Sequence, residues 1–122
     1  MHESLDRHSA VVIAASRNHL YAIMKNVSAY ARSARQLGVV DKAGLGESLA
    51  RMNEYLRTSD VFDSLKDFQA EALYDASVAL SAAYKTAAAD SADGAVTKET
   101  FGRACESLRK FWVSMGDVPS TP

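Results

Sequence analysis

Residues 7–40, which read RHSAVVIAASRNHLYAIMKNVSAYARSARQLGVV, decide the fold. Apolar residues recur in this stretch at intervals of three and four, as they do on the buried side of a packed helix. They are Ile13, Leu20, Ile23, Val27, Tyr30, Ala34 and Leu37. Gly38 follows the last of them, and glycine commonly terminates a helix. The pattern therefore predicts a long first helix over about 4–37.

Three further helices follow, and no segment predicts a strand. Each shows apolar residues at helical spacing between residues that favour turns or caps. The predicted ranges are about 43–57 for a short second helix, about 60–89 for a long third helix and about 98–115 for a C-terminal helix. The sequence therefore predicts an all-α protein, a four-helix bundle with one long N-terminal helix.

The ends of these helices are predicted from capping and turn residues. Asp41 precedes the second helix and Thr97 precedes the fourth, and each has a side-chain oxygen that can accept a hydrogen bond from a free backbone N–H. Residues 90–95 are the clearest loop in the chain. We treat residues 1–122 as a single helical domain whose last residues, 117–122, form a frayed tail.

Composition restricts the environment and the partners. The chain has 122 residues, a net charge of -1 and 48% hydrophobic residues. A net charge near zero argues against strong attraction to nucleic acid or to an anionic membrane. No apolar run approaches the roughly 20 residues that cross a bilayer. One cysteine cannot form an internal disulfide, which favours a reducing compartment. We expect a cytoplasmic, bacterial protein with no nucleic-acid and no membrane partner.

Charge is segregated between the first and third helices. Residues 7–40 contain five cations and no acid, whereas residues 60–75 contain five acids and a single cation, Lys66. Like charges three or four residues apart on a helix destabilise it by a few tenths of a kcal/mol, and opposite charges at that spacing stabilise it. Segregated charge therefore favours a surface that binds a partner.

Each charged face has a tyrosine in its middle when the residues are placed at 100° per residue. The predicted partner-binding residues are Arg17, Tyr21, Lys25 and Arg32 on the first helix and Asp67, Glu71, Tyr74 and Val78 on the third. Tyrosine and arginine are enriched at binding hot spots. The simpler alternative is that both faces are solvated, with each tyrosine lying along a neighbouring helix. Burial of both tyrosines within the core of one protomer would refute the binding interpretation.

No constellation of residues points to catalysis or to metal binding. Cys105 lies on the apolar stripe of the fourth helix, where a thiol usually serves as a small buried hydrophobe. His2 and Asp6 are four residues apart, but no Glu-x-x-His pair or Cys-x-x-Cys motif accompanies them. His19 lacks the nearby Lys and Gly that accompany the histidine of phosphotransfer bundles. We expect no catalytic residue, no metal and no cofactor.

The sequence favours a non-enzymatic function. We expect a small regulatory adaptor or inhibitor that blocks or sequesters a partner protein, as anti-activators, secretion chaperones and immunity proteins do. The length of the first helix favours a homodimer, in which the basic face of one copy docks on the acidic face of the other. The alternative is a ligand-sensing or transfer bundle with a small-molecule site between helices, for which a fully packed core would be unfavourable.

Overall fold

The computed structural model describes the backbone of residues 2–89 and 94–116 and the side chains of residues 18–87 and 94–116. Within these ranges the chain forms four α-helices and no strand. They are α1 (His2–Leu37), α2 (Lys42–Thr58), α3 (Asp67–Ala89) and α4 (Gly94–Ser114), with a 3-10 turn at Val61–Ser64 between α2 and α3. The predicted all-α four-helix bundle is confirmed.

The order in which the helices pack places α1 and α3 at diagonal corners of the bundle. Helix α4 packs most extensively against α3 and α1, and α2 packs against α1 and α3. In the described residues, α1 and α3 make no appreciable contact with each other. Helices α1 and α4 run antiparallel, since Gly38 lies beside Gly94 and the Trp112 indole N–H donates to Ser28 Oγ at 3.3 Å. The outward faces of α1 and α3 therefore point in opposite directions.

Large side chains of all four helices fill the core, and α3 also contributes several alanines. The largest fully buried side chains are Phe101, Phe111, Leu20, Met24, Leu45, Met52, Leu73, Leu80, Val27 and Val61. Much of the buried stripe of α3 is alanine, namely Ala76, Ala83 and Ala87. Small side chains allow two helix axes to approach closely. This accounts for the extensive contact between α3 and α4.

Two predicted helix boundaries are confirmed with their geometry. Gly38 follows α1 with a φ of 71°, and its amide N–H donates to the Ala34 carbonyl at 2.8 Å. Asp41 is the N-cap of α2, and its Oδ1 accepts a hydrogen bond from the Gly44 amide at 3.0 Å. Both features satisfy backbone groups that a helix end leaves without an intrahelical partner.

Glycines at the start of α2 allow two tyrosines to reach its backbone. A Cβ at Gly44 would lie 2.5 Å from the Tyr30 hydroxyl oxygen, and a Cβ at Gly46 would lie 2.8 Å from the Tyr84 hydroxyl oxygen. Tyr30 belongs to α1 and Tyr84 to α3, so α2 receives one ring from each neighbour. These glycines lower the helix propensity of α2, but they permit its contacts with α1 and α3.

The predicted start of the third helix near residue 60 was wrong. The chain forms only a 3-10 turn at Val61–Ser64, becomes extended at Leu65 and starts α3 at Asp67. The Gln69 side-chain oxygen accepts a hydrogen bond from the Lys66 amide at 2.9 Å, which is half of a capping box. This local bond starts the helix about seven residues later than the aspartate-rich segment suggested. Phe68, in the first turn of α3, lies 56% exposed.

The predicted N-cap of the fourth helix was also wrong. Helix α4 begins at Gly94, so Thr97 lies inside it and is buried against the core rather than capping its end. The predicted loop over 90–95 falls partly on residues 90–93, which lie outside the described residues, while Gly94 and Ala95 are helical. The predicted tail at 117–122 also lies outside them.

The buried stripe of α1 is rotated relative to the predicted one. Met24 and Ala31 are fully buried, whereas Ile23 and Tyr30 are half-buried and Leu37 is exposed. The rotation arises because α1 packs against two neighbours, α2 and α4. The middle of its buried stripe therefore faces the space between these two helices. Ile13 and the rest of the stripe before residue 18 lie outside the described side chains.

Glycine positions 38 and 116 provide a matched stability test. Both have a positive φ, but a Cβ at Gly38 would lie 2.9 Å from the Gly94 carbonyl oxygen, whereas a Cβ at Gly116 meets nothing within 4 Å. We expect Gly116→Ala to lower the free energy of unfolding by about 1 kcal/mol, from backbone strain alone. Gly38→Ala adds a backbone clash and should cost about 2 to 3 kcal/mol. Urea denaturation followed by circular dichroism measures both, and equal losses would contradict the described contact between α1 and α4.

Candidate partner-binding faces

Four ion pairs join described residues to one another, two on α2 and two on α4. They are Arg51–Glu47 and Arg57–Glu54 on α2, and Arg103–Glu99 and Arg109–Glu106 on α4. All four join residues three or four apart, the spacing at which opposite charges stabilise a helix. Helices α2 and α4 thus mix their charges and pair them. The segregation of charge noted in the sequence is a property of α1 and α3.

The outward side of α3 carries a row of carboxylates. Asp67, Glu71 and Asp75 are spaced by four residues, and all three are exposed. Neither neighbouring pair in this row can be favourable, because like charges at this spacing repel. The row runs along the side of α3 that is opposite the buried Leu73 and Leu80.

Two large apolar side chains lie on the same side of α3. Tyr74 is 61% exposed and Val78 is 50% exposed. They are four residues apart, so their side chains are neighbours on the helix surface. We call Asp67, Glu71, Tyr74, Asp75 and Val78 the α3 acidic face. It contains all four residues predicted on the third helix, and the structure places them together on one exposed surface.

The corresponding surface of α1 carries two of the predicted cations. Lys25 and Arg32 are exposed and lie seven residues, or about two turns, apart. Small exposed residues, Ala22 and Ala29, accompany them on the outward side. We call Ala22, Lys25, Ala29 and Arg32 the α1 basic face. The side chain of the predicted Arg17 lies outside the described ones.

Tyr21 differs from Tyr74 in its surroundings. It is half-buried, and its ring centroid lies 5.7 Å from that of Trp112, a side chain of α4 that is only 6% exposed. Trp112 in turn donates its indole N–H to Ser28 Oγ on α1. Tyr21 therefore helps to join α1 to α4 and covers the tryptophan. The alternative raised from the sequence, a tyrosine lying along a neighbouring helix, applies to Tyr21 and not to Tyr74.

The thiol of Cys105 lies near the basic side of α1. Burial raises the pKa of Cys105, and the positive charges of Arg35 and Arg32 lower it by less. The thiol is therefore protonated at neutral pH and is a weak nucleophile. This environment fits the packing role expected for the residue.

An open groove of about 530 Å³ lies between α1 and α2. Its lining residues are His19, Ala22, Ile23, Asn26, Ser48, Arg51, Glu54, Tyr55 and Thr58. The His19 and Tyr55 rings form an edge-to-face contact with centroids 4.6 Å apart, and Asn26 Nδ2 donates to the buried Ser48 Oγ at 3.3 Å. Sequence patterns did not reveal this groove, because it results from the distance between two helix axes.

The described residues contain no group of three or more His, Cys, Asp or Glu side chains placed to hold a metal ion. Their helices also include none that combines the length and the apolar character of a membrane span. The histidine and acidic side chains near the N-terminus, at positions 2–8, lie outside the side chains that the structure describes.

Comparison of the chain with protein-family models, with curated proteins and with solved structures gave no match.

We expect the two tyrosines to differ in their contribution to stability. Tyr21→Ala removes a ring packed on Trp112 and should lower the free energy of unfolding by about 1 to 2 kcal/mol. Tyr74→Ala removes a side chain that is 61% exposed and should change the free energy by less than about 0.5 kcal/mol. Urea denaturation of both variants checks this. Equal effects would mean that Tyr21 does not join α1 to α4.

Charge reversal at Glu71 should stabilise the protein. Glu71→Lys replaces two repulsive spacings, to Asp67 and Asp75, with two attractive ones, and we expect a melting temperature about 2 to 4 °C higher at low salt. The matched control is Glu106→Lys on α4, which removes the partner of Arg109 and should lower the melting temperature. Sodium chloride at about 0.5 M should reduce both differences. A lower melting temperature for Glu71→Lys would show that the carboxylate row has a structural role.

Proposed function

We propose that this protein is a non-enzymatic interaction module that binds another protein through the α3 acidic face. The observation that carries the proposal is the exposure of Tyr74 and Val78 beside a row of carboxylates that form no ion pair with a described residue. Removal of large apolar side chains from water on binding is favourable. The two residues would supply affinity, and the carboxylates would supply orientation.

The chemistry of the α3 acidic face defines the partner surface. Three carboxylates along about two turns of helix favour a basic surface, and they affect the rate of approach and the specificity more than the affinity. Tyr74 and Val78 require a shallow apolar region between those cations. A partner covered in this way is blocked or sequestered, so we propose a regulatory adaptor or inhibitor. The single cysteine is in keeping with action in the cytoplasm.

A second candidate function uses the groove between α1 and α2. Its volume of about 530 Å³ lies in the range of small-molecule sites, and polar groups of Asn26, Arg51 and Tyr55 line it. A ligand-sensing or transfer bundle is therefore the alternative proposal. The groove is open to solvent. The core beside it is filled by side chains such as the fully buried Phe101 and Phe111, so we rank this function second.

Capture of partners from the source cells tests the first proposal. We expect the tagged wild-type chain to retain a protein that Tyr74→Ala/Val78→Ser loses by at least tenfold, since these two residues form the apolar part of the face. The matched control is Val113→Ser on α4, because Val113 is 48% exposed but lies on a helix whose charges are paired.

The comparison of the two variants decides the result. Equal retention by wild type and by Tyr74→Ala/Val78→Ser, with circular dichroism showing both folded, would contradict binding through the α3 acidic face. A loss caused by Val113→Ser instead would move the binding surface to α4.

A further inference from the structure

We propose that the α3 acidic face of one copy of this chain binds the α1 basic face of a second copy, so that copies associate head to tail. This inference rests on the proposed function, because it names a partner for the same face. The outward face of α1 and the outward face of α3 are complementary in charge, and the two belong to one molecule.

The shapes of the two faces are complementary. Ala22 and Ala29 are exposed and seven residues apart, which is about two turns of helix. Their short side chains project little from the outward surface of α1. Tyr74 and Val78 project from α3 over one turn. Large side chains of one helix pack well against small residues of another, because ridges then fit into grooves.

The charges on the two faces are spaced alike. Lys25 and Arg32 are separated by seven residues, which is about 10 Å along a helix, and Asp67 and Asp75 are separated by eight, which is about 12 Å. Each cation of α1 can therefore lie opposite a carboxylate of α3, with Ala29 and Tyr74 between the two ion pairs. None of these side chains forms an ion pair with a described residue of its own molecule.

The diagonal positions of α1 and α3 determine the symmetry of such a contact. In a two-fold dimer the same patch is used by both copies, and a basic-on-acidic contact would have to occur twice between the same two molecules. Because the two faces point in opposite directions, a second molecule cannot cover both. Two molecules joined by one such contact therefore retain one free acidic face and one free basic face. Further molecules can bind at these faces, which gives open chains or closed rings. The reciprocal homodimer expected from the sequence does not suit this arrangement.

Salt dependence is the first expected result. Pairs between exposed charges are weak and are screened by salt, so the association should be low in affinity and favoured at low ionic strength. In sedimentation velocity at about 20 mM salt, the wild type should show a weight-average mass that rises with concentration beyond that of a dimer. At about 500 mM salt it should sediment as a monomer.

Complementation between two variants tests the head-to-tail order. The basic-face variant is Lys25→Gln/Arg32→Gln, and the acidic-face variant is Asp67→Asn/Glu71→Gln/Asp75→Asn. Each retains one working face, so each alone should be monomeric at low salt. An equimolar mixture should form a one-to-one dimer and nothing larger, since the remaining two faces are neutral. Charge removal is used rather than charge reversal, because reversal would create new attractive faces.

Control variants and contrary outcomes complete the experiment. Arg103→Gln/Lys110→Gln removes two cations from α4 and should associate as the wild type does. The inference is overturned if the wild type is monomeric at low salt, if either single-face variant associates like the wild type, or if the mixture remains monomeric. A closed wild-type dimer would also overturn it. None of these results affects capture of a different protein through Tyr74 and Val78, so failure of the inference and failure of the proposed function are distinguishable.

Discussion

The packing of α4 between α1 and α3 is the interaction on which the rest of the structure depends. Helix α4 brings Phe101 and Phe111, both fully buried, into the core and packs extensively against both of these helices. Burial of each phenylalanine contributes roughly 2 to 3 kcal/mol. Because α4 occupies this position, α1 and α3 take diagonal corners, and their charged faces point away from each other. The same packing that stabilises the bundle therefore also separates its two proposed binding surfaces.

Two helix ends that depend on local sequence were predictable. Gly38 and Asp41 act on backbone groups within four residues of themselves, and both helix ends follow from residue type. The start of α3 was not predictable from the aspartates, because the Gln69 side chain reaches back to Lys66 and starts the helix later. The position of the buried stripe on α1 could not be predicted from α1 alone, because it depends on the packing of both α2 and α4. Periodicity gives the existence of a stripe, whereas its centre depends on tertiary packing.

The candidate site was predictable on one helix and less so on the other. The residues of the α3 acidic face lie within twelve positions on one helix, so their common exposure follows from helical geometry alone. The environment of Tyr21 depends on Trp112, which is far away in sequence and comes close only when α4 folds back along α1. A sequence pattern on α1 alone contains no information about that contact. The two tyrosines, equivalent in the sequence, therefore have different roles in the structure.

The position of Trp112 has a spectroscopic consequence. It is the only tryptophan in the chain, and it contacts Tyr21 and Ser28 at the junction of α1 and α4. Its intrinsic fluorescence therefore responds to separation of these two helices. Occupancy of the α3 acidic face leaves the indole environment unchanged. The emission spectrum reports the integrity of the bundle without a label, independently of whether the α3 acidic face is occupied.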